Sequence, residues 1–259
     1  MFAEPARTPY DLNFRLFGFP IRIHPFFWLG AALLGAGTLE AGLHFLLIWI
    51  VVVLVSILVH ELGHAVAFRR FGSDSHIVLW MFGGLAVPYS AIHSRWRRIV
   101  ATLAGPLAGF ILCGIVYGSH KLTGWGVGNG VPVSYFYIAL VLVNLYWGIL
   151  NLLPVFPLDG GQVAKELCES RWRGRGLLVA LKISIAVAGV VAIYSLVCWF
   201  EMQRGGGPLT DLLPGWFPRG SIFTAILFAL LAVQSYQLLQ QVGRGIYYEG
   251  PDDRVPWER

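Results

Sequence analysis

One apolar run constrains this chain more than any other stretch. It extends from Leu43 to about Ala67, which is long enough for a transmembrane helix, yet it contains His60-Glu61-Leu-Gly-His64. On a helix, residues four apart project from the same face, so the two histidines can bind one zinc ion with Glu61 beside them. Ionisable residues are costly inside a membrane and usually serve a function there. The pattern therefore favours an intramembrane metal site over the alternative, two buried histidines and a paired glutamate in a core helix.

Composition indicates that most of the chain lies in a lipid bilayer. Of its 259 residues, 56% are apolar and 13% are charged, as in multi-spanning membrane proteins. Three cysteines without paired spacing predict neither a disulfide framework nor a thiolate metal site. The net charge of +5 comes from arginines between apolar runs, so it points to membrane topology and not to nucleic acid.

Six transmembrane helices are predicted in an all-α membrane protein. Their approximate bounds are 25–39, 43–70, 99–118, 135–153, 177–200 and 221–241. Most of the 19 lysines and arginines lie before the first span, after the second, fourth and sixth, and few on the opposite side. This asymmetry predicts that both termini are cytoplasmic, in a multi-pass protein of the plasma membrane. The expected divisions are a cytoplasmic arm (1–24), a six-span domain (25–243) and a short cytoplasmic tail (244–259).

A catalytic zinc site normally has three protein ligands, so a third donor must return to the depth of His64. Asp159 is the best candidate, because it follows the fourth span on the same side of the membrane. Pro154 and Pro157 break the helix before it, and Gly160 after it permits a close backbone approach. The alternative is that Asp159 caps the next helix, beginning near residue 162, and the prolines form a turn.

The two motifs together, His60-Glu-Leu-Gly-His64 and Asn151-Leu-Leu-Pro-Val-Phe-Pro-Leu-Asp159-Gly, resemble those of the site-2 protease family of intramembrane zinc metalloproteases. Phe82-Gly83-Gly84 and Ala104-Gly105-Pro106 also match. The resemblance covers about residues 14–165 and suggests a short form, without PDZ or CBS domains.

This resemblance implies one Zn²⁺ held by His60, His64 and Asp159, with Glu61 as the general base. The implied reaction is cleavage of a peptide bond in or near the transmembrane helix of a single-span membrane protein, as in regulated intramembrane proteolysis. The expected partners are that substrate, the lipid bilayer and either a regulatory protein or further copies of the chain. Two alternatives remain: a metal or proton transporter that uses the same residues, and a catalytically silent scaffold on this fold.

Two further groups of residues are candidates for substrate contact. Asn144 and Asn151 share a helical face, and either amide could stabilise an oxyanion; the family motif favours Asn151 as the catalytic donor. Interhelical hydrogen bonding is the alternative for both. Residues 76–88 read as two short apolar strands around Gly83 and Gly84, a hairpin whose free edge can pair with substrate, unless the segment is an amphipathic surface loop.

Overall fold

The computed structural model describes residues 4–81, 83–212 and 220–243. Phe82 of the predicted hairpin and the predicted tail, 244–259, lie outside these ranges. The strands are β1 (Leu12–Leu16), β2 (Phe19–Ile23), β3 (Ser75–Trp80) and β4 (Gly83–Pro88). The helices are α1 (Pro25–Leu34), a 3₁₀ helix (Ala36–Ala41), α2 (Leu43–Arg70), α3 (Arg95–Thr123), α4 (Val131–Asn151), α5 (Asp159–Arg171), α6 (Gly176–Gln203), α7 (Pro208–Leu212) and α8 (Ile222–Gly243).

Five helices in the described ranges are long and apolar enough to cross a bilayer, namely α2, α3, α4, α6 and α8. They establish a multi-pass integral membrane protein. The predicted first span, 25–39, is instead the ten-residue helix α1 followed by the 3₁₀ helix. At 1.5 Å per residue α1 is about 15 Å long, half of a hydrocarbon core of about 30 Å.

A small sheet precedes α1 and sets where this helix begins. At the end of β2, the His24 amide donates to the carbonyl of Leu79, 2.9 Å away, and the neighbouring Gly84 lies against Glu61 of α2. The sheet thus reaches the level of Glu61, and α1 begins there. It ends beside Trp49, whose indole donates to the Ala31 carbonyl at 3.1 Å. Trp49 is twelve residues before Glu61 in the sequence, which is a distance of about 18 Å along the axis of α2.

The sheet has the strand order β1-β2-β3-β4. Strands β3 and β4 are antiparallel, whereas β2 runs parallel to β3 and antiparallel to β1. Residues 12–23, predicted as part of the cytoplasmic arm (1–24), therefore add two strands that were not expected. Buried side chains attach one face of the sheet to α2; they include Phe19, Ile21, Ile23, Ile77 and Leu79 of the sheet and Ile57 of α2.

A buried arginine fixes the segment that precedes the sheet. Arg22 donates to carboxylate oxygens of Asp11 at 2.9 Å and Glu4 at 2.8 Å. Burial alone would raise the pKa of Asp11, but hydrogen bonds from Thr8 and Arg22 outweigh it and lower that pKa to about 2. The arm thus carries a charge network outside the membrane-spanning helices.

The chain divides into two units, the first ending at Leu152 and the second beginning at Leu153. In the first unit, α2 and α3 approach closely, because Gly63 faces the backbone of Ala104 and a methyl group on Gly63 would meet Ala108 at 2.8 Å. In the second unit, α6 and α8 pack along each other, and both helices carry fully buried side chains, such as Leu181 and Phe228.

Candidate metal centre

The structure brings together the three residues of the predicted motif on α2. His60, Glu61 and His64 are buried, and their potential ligand atoms all lie within 4.8 Å of one another. The two imidazole Nε2 atoms are 3.2 Å apart. Two nitrogens bound to one tetrahedral zinc, each at about 2.05 Å, would be about 3.3 Å apart. The histidine pair therefore has the spacing that one metal ion requires.

A backbone carbonyl sets the orientation of one of these rings. His64 Nδ1 lies 2.8 Å from the carbonyl oxygen of Ala101 on α3. A carbonyl can only accept, so Nδ1 must carry the proton, and the neutral ring then presents the Nε2 lone pair to His60. This is the usual way in which a ligating histidine is held by its other nitrogen.

Helix α3 also packs directly against the ring of His64. A methyl group on Gly105 would overlap the imidazole: it would lie 2.8 Å from Cδ2 and closer still to Nε2 and Cε1. Only glycine lets the backbone of α3 lie against the ring. The sequence marked Gly105 as a family match, but did not indicate contact with a candidate ligand.

Strand β4 lies against the carboxylate of Glu61. A methyl group on Gly84 would lie 2.7 Å from both Cδ and Oε1 of Glu61. Gly83 has a φ of +137°, and a side chain there would face the ring of Trp147 at 3.2 Å. Because β4 is the last strand of the described sheet, its outer edge runs beside the candidate general base.

Both predicted asparagines are buried on α4. Asn144 donates through Nδ2 to Ser56 Oγ of α2 at 2.9 Å and to the Leu140 carbonyl at 2.8 Å. Asn144 thus makes the interhelical hydrogen bond that the sequence offered as the alternative to a role with substrate. Its partner Ser56 lies one helical turn before His60. Asn151 donates to the carbonyl of Trp147 at 2.9 Å, which uses one of the two N–H groups of its amide.

Asp159 belongs to the second unit, where it is the first residue of α5 and 7% exposed. The residue at the cap position is Leu158, and no side chain caps the helix there. The helix begins earlier than residue 162, and Asp159 lies inside its first turn. The positive end of the helix dipole stabilises a carboxylate at this position.

The fold and the buried motif define a multi-pass membrane protein with a candidate metal centre on α2, the most hydrophobic of the five described candidate spans. The model of peptidase family M50 matches residues 48–131 and 126–196, and the chain belongs to this family. The resemblance found in the motifs is thereby confirmed.

Curated relatives and a solved structure agree with this assignment. Rip3 of Mycobacterium tuberculosis is 34% identical over 172 residues, which cover 64% of this chain and 43% of Rip3. A zinc metalloprotease of Methanocaldococcus jannaschii is 28% identical over 185 residues, which cover 71% of this chain and 52% of the relative. The chain thus spans about half the length of these relatives. A site-2 protease from Methanocaldococcus jannaschii has the same fold, with a TM-score of 0.57 at 23% identity over 88% of this chain and 94% of that one.

Proposed function

We propose that this protein is a zinc-dependent intramembrane endopeptidase acting on the transmembrane helix of a single-span membrane protein. The observation that carries the proposal is the 3.2 Å separation of the His60 and His64 Nε2 atoms beside the buried Glu61. Membership of peptidase family M50 supports the same reaction class.

In this proposal His60, His64 and Asp159 hold one Zn²⁺ ion. When bound, the ion polarises the scissile carbonyl and lowers the pKa of a water molecule to about 7. Glu61 takes the proton from the attacking water and passes it to the leaving amine. The Ala101 carbonyl and the backbone at Gly105 keep His64 in one orientation throughout. Asn151 donates its second amide N–H to the oxyanion.

A transmembrane helix must unwind before it can be cleaved, since its carbonyls are bonded within the helix. The outer edge of β4 provides backbone groups with which an unwound segment can pair. Gly84 lies directly against Glu61, with no space for a methyl group between them, so a segment paired with β4 would run next to the carboxylate. Asn144, held by its hydrogen bond to Ser56, lies on the same face of α4 as Asn151 and is the other candidate for substrate contact.

We further propose that α1 and the 3₁₀ helix complete a sixth crossing, so that both termini are cytoplasmic in the plasma membrane. The sheet that leads into α1 lies at the arginine-rich end of α2, as the charge asymmetry requires. Labelling of single cysteines at positions 13 and 37 in cells tests this arrangement. If a labelling reagent reaches both positions from the same side of the membrane, the proposed crossing is wrong.

Substitution of Glu61 by glutamine, with Glu40→Gln as a matched control on the exposed 3₁₀ helix, tests the reaction. The purified proteins are placed in liposomes with a single-span substrate, and cleavage, zinc content and zinc flux are measured. We expect Glu61→Gln to bind one zinc ion per chain and to lose cleavage by a factor of at least about 100. Glu40→Gln should behave as the unmodified protein.

The same experiment separates the alternatives. Cleavage retained in Glu61→Gln would refute Glu61 as the base. Zinc flux without cleavage in every variant would favour a transporter. Bound zinc with neither flux nor cleavage would favour a silent scaffold.

A further inference from the structure

Two serines in the apolar helices of the second unit hold the loop that leads to Asp159. Ser184 on α6 and Ser235 on α8 are buried, at 0% and 1% exposure. The Phe156 amide donates to Ser184 Oγ at 2.8 Å, the two hydroxyl oxygens are 2.8 Å apart, and Ser235 Oγ donates to the Phe156 carbonyl at 3.3 Å. Both backbone groups of one residue are therefore bound by side chains from two different helices.

The direction of each hydrogen bond follows from the ends of this chain of contacts. The Phe156 amide can only donate and its carbonyl can only accept. Ser184 therefore accepts from the amide and gives its own proton to Ser235, which in turn donates to the carbonyl. The three residues form a closed ring in which each hydroxyl makes one donation and accepts one bond, and bonds in such a series strengthen one another.

The backbone of Phe156 needs these two hydroxyls as hydrogen-bond partners, whereas each serine has an alternative partner in its own helix. A serine in a membrane helix can bond to a carbonyl of its own preceding turn. Phe156, in contrast, lies between Pro154 and Pro157 in irregular backbone, where its polar groups have no helical partner and irregular backbone is tolerated at membrane depth only if it is satisfied. The ring supplies both partners.

Tight contacts connect Phe156 to the first turn of α5. The Leu158 amide donates to the Val155 carbonyl at 2.8 Å. Gly161 packs against the same backbone: a methyl group on it would lie 2.5 Å from the nitrogen of Phe156. Because this turn begins with Asp159, a displacement of Phe156 displaces the carboxylate.

We infer that Ser184 and Ser235 are positioning residues for the third metal ligand: their hydroxyls hold the loop so that Asp159 is fixed at the head of α5 before any ion binds. The inference rests on the proposed function, in which Asp159 is that ligand. Helices α6 and α8 thereby contribute to the metal centre without supplying a ligand themselves.

Ser184→Ala and Ser235→Ala test this inference, with Ser195→Ala as a matched control. Ser195 is also a serine of α6 and is 1% exposed, but it is eleven residues from Ser184 along the helix. Two quantities are measured on the purified full chain: amide hydrogen exchange across residues 153–161 in zinc-free protein, and the zinc dissociation constant by chelator competition.

We expect both test variants to exchange the Phe156 amide at least about 10-fold faster than the control, since its acceptor is removed or loosened. We expect the zinc dissociation constant to rise about 10- to 100-fold, the usual effect of losing a group that orients a ligand. Exchange and zinc affinity equal to those of Ser195→Ala would overturn the inference, as would faster exchange with unchanged zinc affinity.

Asp159→Asn, measured in parallel, separates this outcome from a failure of the proposed function. If Asp159→Asn binds zinc as tightly as the unmodified chain, the proposed ligand set is wrong and the inference falls with it. If Asp159→Asn loses zinc while the serine variants keep it, only the positioning role is wrong.

Discussion

Replacing Gly105 by alanine adds one methyl group at the point where α3 touches His64. The methyl carbon would lie 2.8 Å from Cδ2 of the imidazole, and two further ring atoms are closer. Non-bonded carbon atoms prefer a separation of about 3.5–4.0 Å. The ring would therefore have to retreat by roughly 1 Å. It is not free to do so without breaking the 2.8 Å bond from Nδ1 to the Ala101 carbonyl.

The expected loss of zinc affinity follows from this displacement. Zinc–nitrogen distances vary by only about 0.2 Å, so a shift of roughly 1 Å removes His64 Nε2 from bonding range unless the helices separate. Forcing an extra methyl group into a packed site costs about 1–3 kcal/mol. The strain is greatest when the ring is in its liganding position, so it opposes zinc binding and raises the dissociation constant about 5- to 150-fold.

Gly114→Ala is the control, because Gly114 lies on the same helix and, apart from the backbone of its own turns, no atom of the described residues lies within 4 Å of the added methyl group. Both changes bring the same gain in helix propensity, about 1 kcal/mol. Zinc affinity is measured by chelator competition in detergent. If Gly105→Ala binds zinc as tightly as Gly114→Ala, then His64 is not a ligand in the orientation described.

Three other perturbations have defined outcomes. Gly84→Ala should lower kcat about 100-fold with zinc still bound, because the methyl group displaces the Glu61 carboxylate by roughly 1 Å; unchanged turnover would show that β4 does not confine the base. A double-mutant cycle of Asn144→Ala and Ser56→Ala, followed by unfolding in detergent, should give a coupling of about 0.6 kcal/mol, and additive effects would deny the α2–α4 bond. Folding lowers the pKa of Asp11 from 3.8 to about 2, so the ionised carboxylate stabilises the fold fully above about pH 4, and this stabilisation is lost as pH falls through 2. Asp11→Asn should therefore remove part of the pH dependence of the free energy of unfolding between about pH 4 and 2. The same pH dependence in the variant and the unmodified protein would contradict this account.

The helix that carries the candidate metal ligands was predictable because its signal is local. Two histidines and a glutamate within five residues define one face of one helix, whatever surrounds it. The short apolar runs of 76–88 predict two strands for the same reason, and both strands are present, but Gly83 and Gly84, predicted at the turn, are the first two residues of β4. The predicted bounds of α2 agree with those observed.

Strand β2 was missed because Pro20 and Arg22 interrupt its apolar pattern. Its pairing with β3 begins only at Ile21, so the absent N–H group of Pro20 is never needed by that neighbour. Arg22 is buried because carboxylates distant in sequence pair with it. Neither circumstance can be read from a strand of five residues taken alone.

The residues that hold the site in place were also beyond sequence reasoning. The Ala101 carbonyl orients His64 through a backbone atom, which leaves no trace in residue type. Ser184 and Ser235 are single small polar residues in apolar helices, 51 positions apart, and only the packing of α6 on α8 brings their hydroxyls together. Such contacts depend on tertiary structure alone.

X-ray absorption at the zinc edge, on the purified chain and on Asp159→Asn, tests the proposed centre most directly. For the unmodified chain we predict two imidazole nitrogens at about 2.0–2.1 Å and carboxylate oxygen at about 2.0–2.2 Å around one ion. In Asp159→Asn the carboxylate shell should disappear or the ion should be lost. An unchanged spectrum in that variant, or a first shell with fewer than two imidazoles, would contradict a centre built from His60, His64 and Asp159.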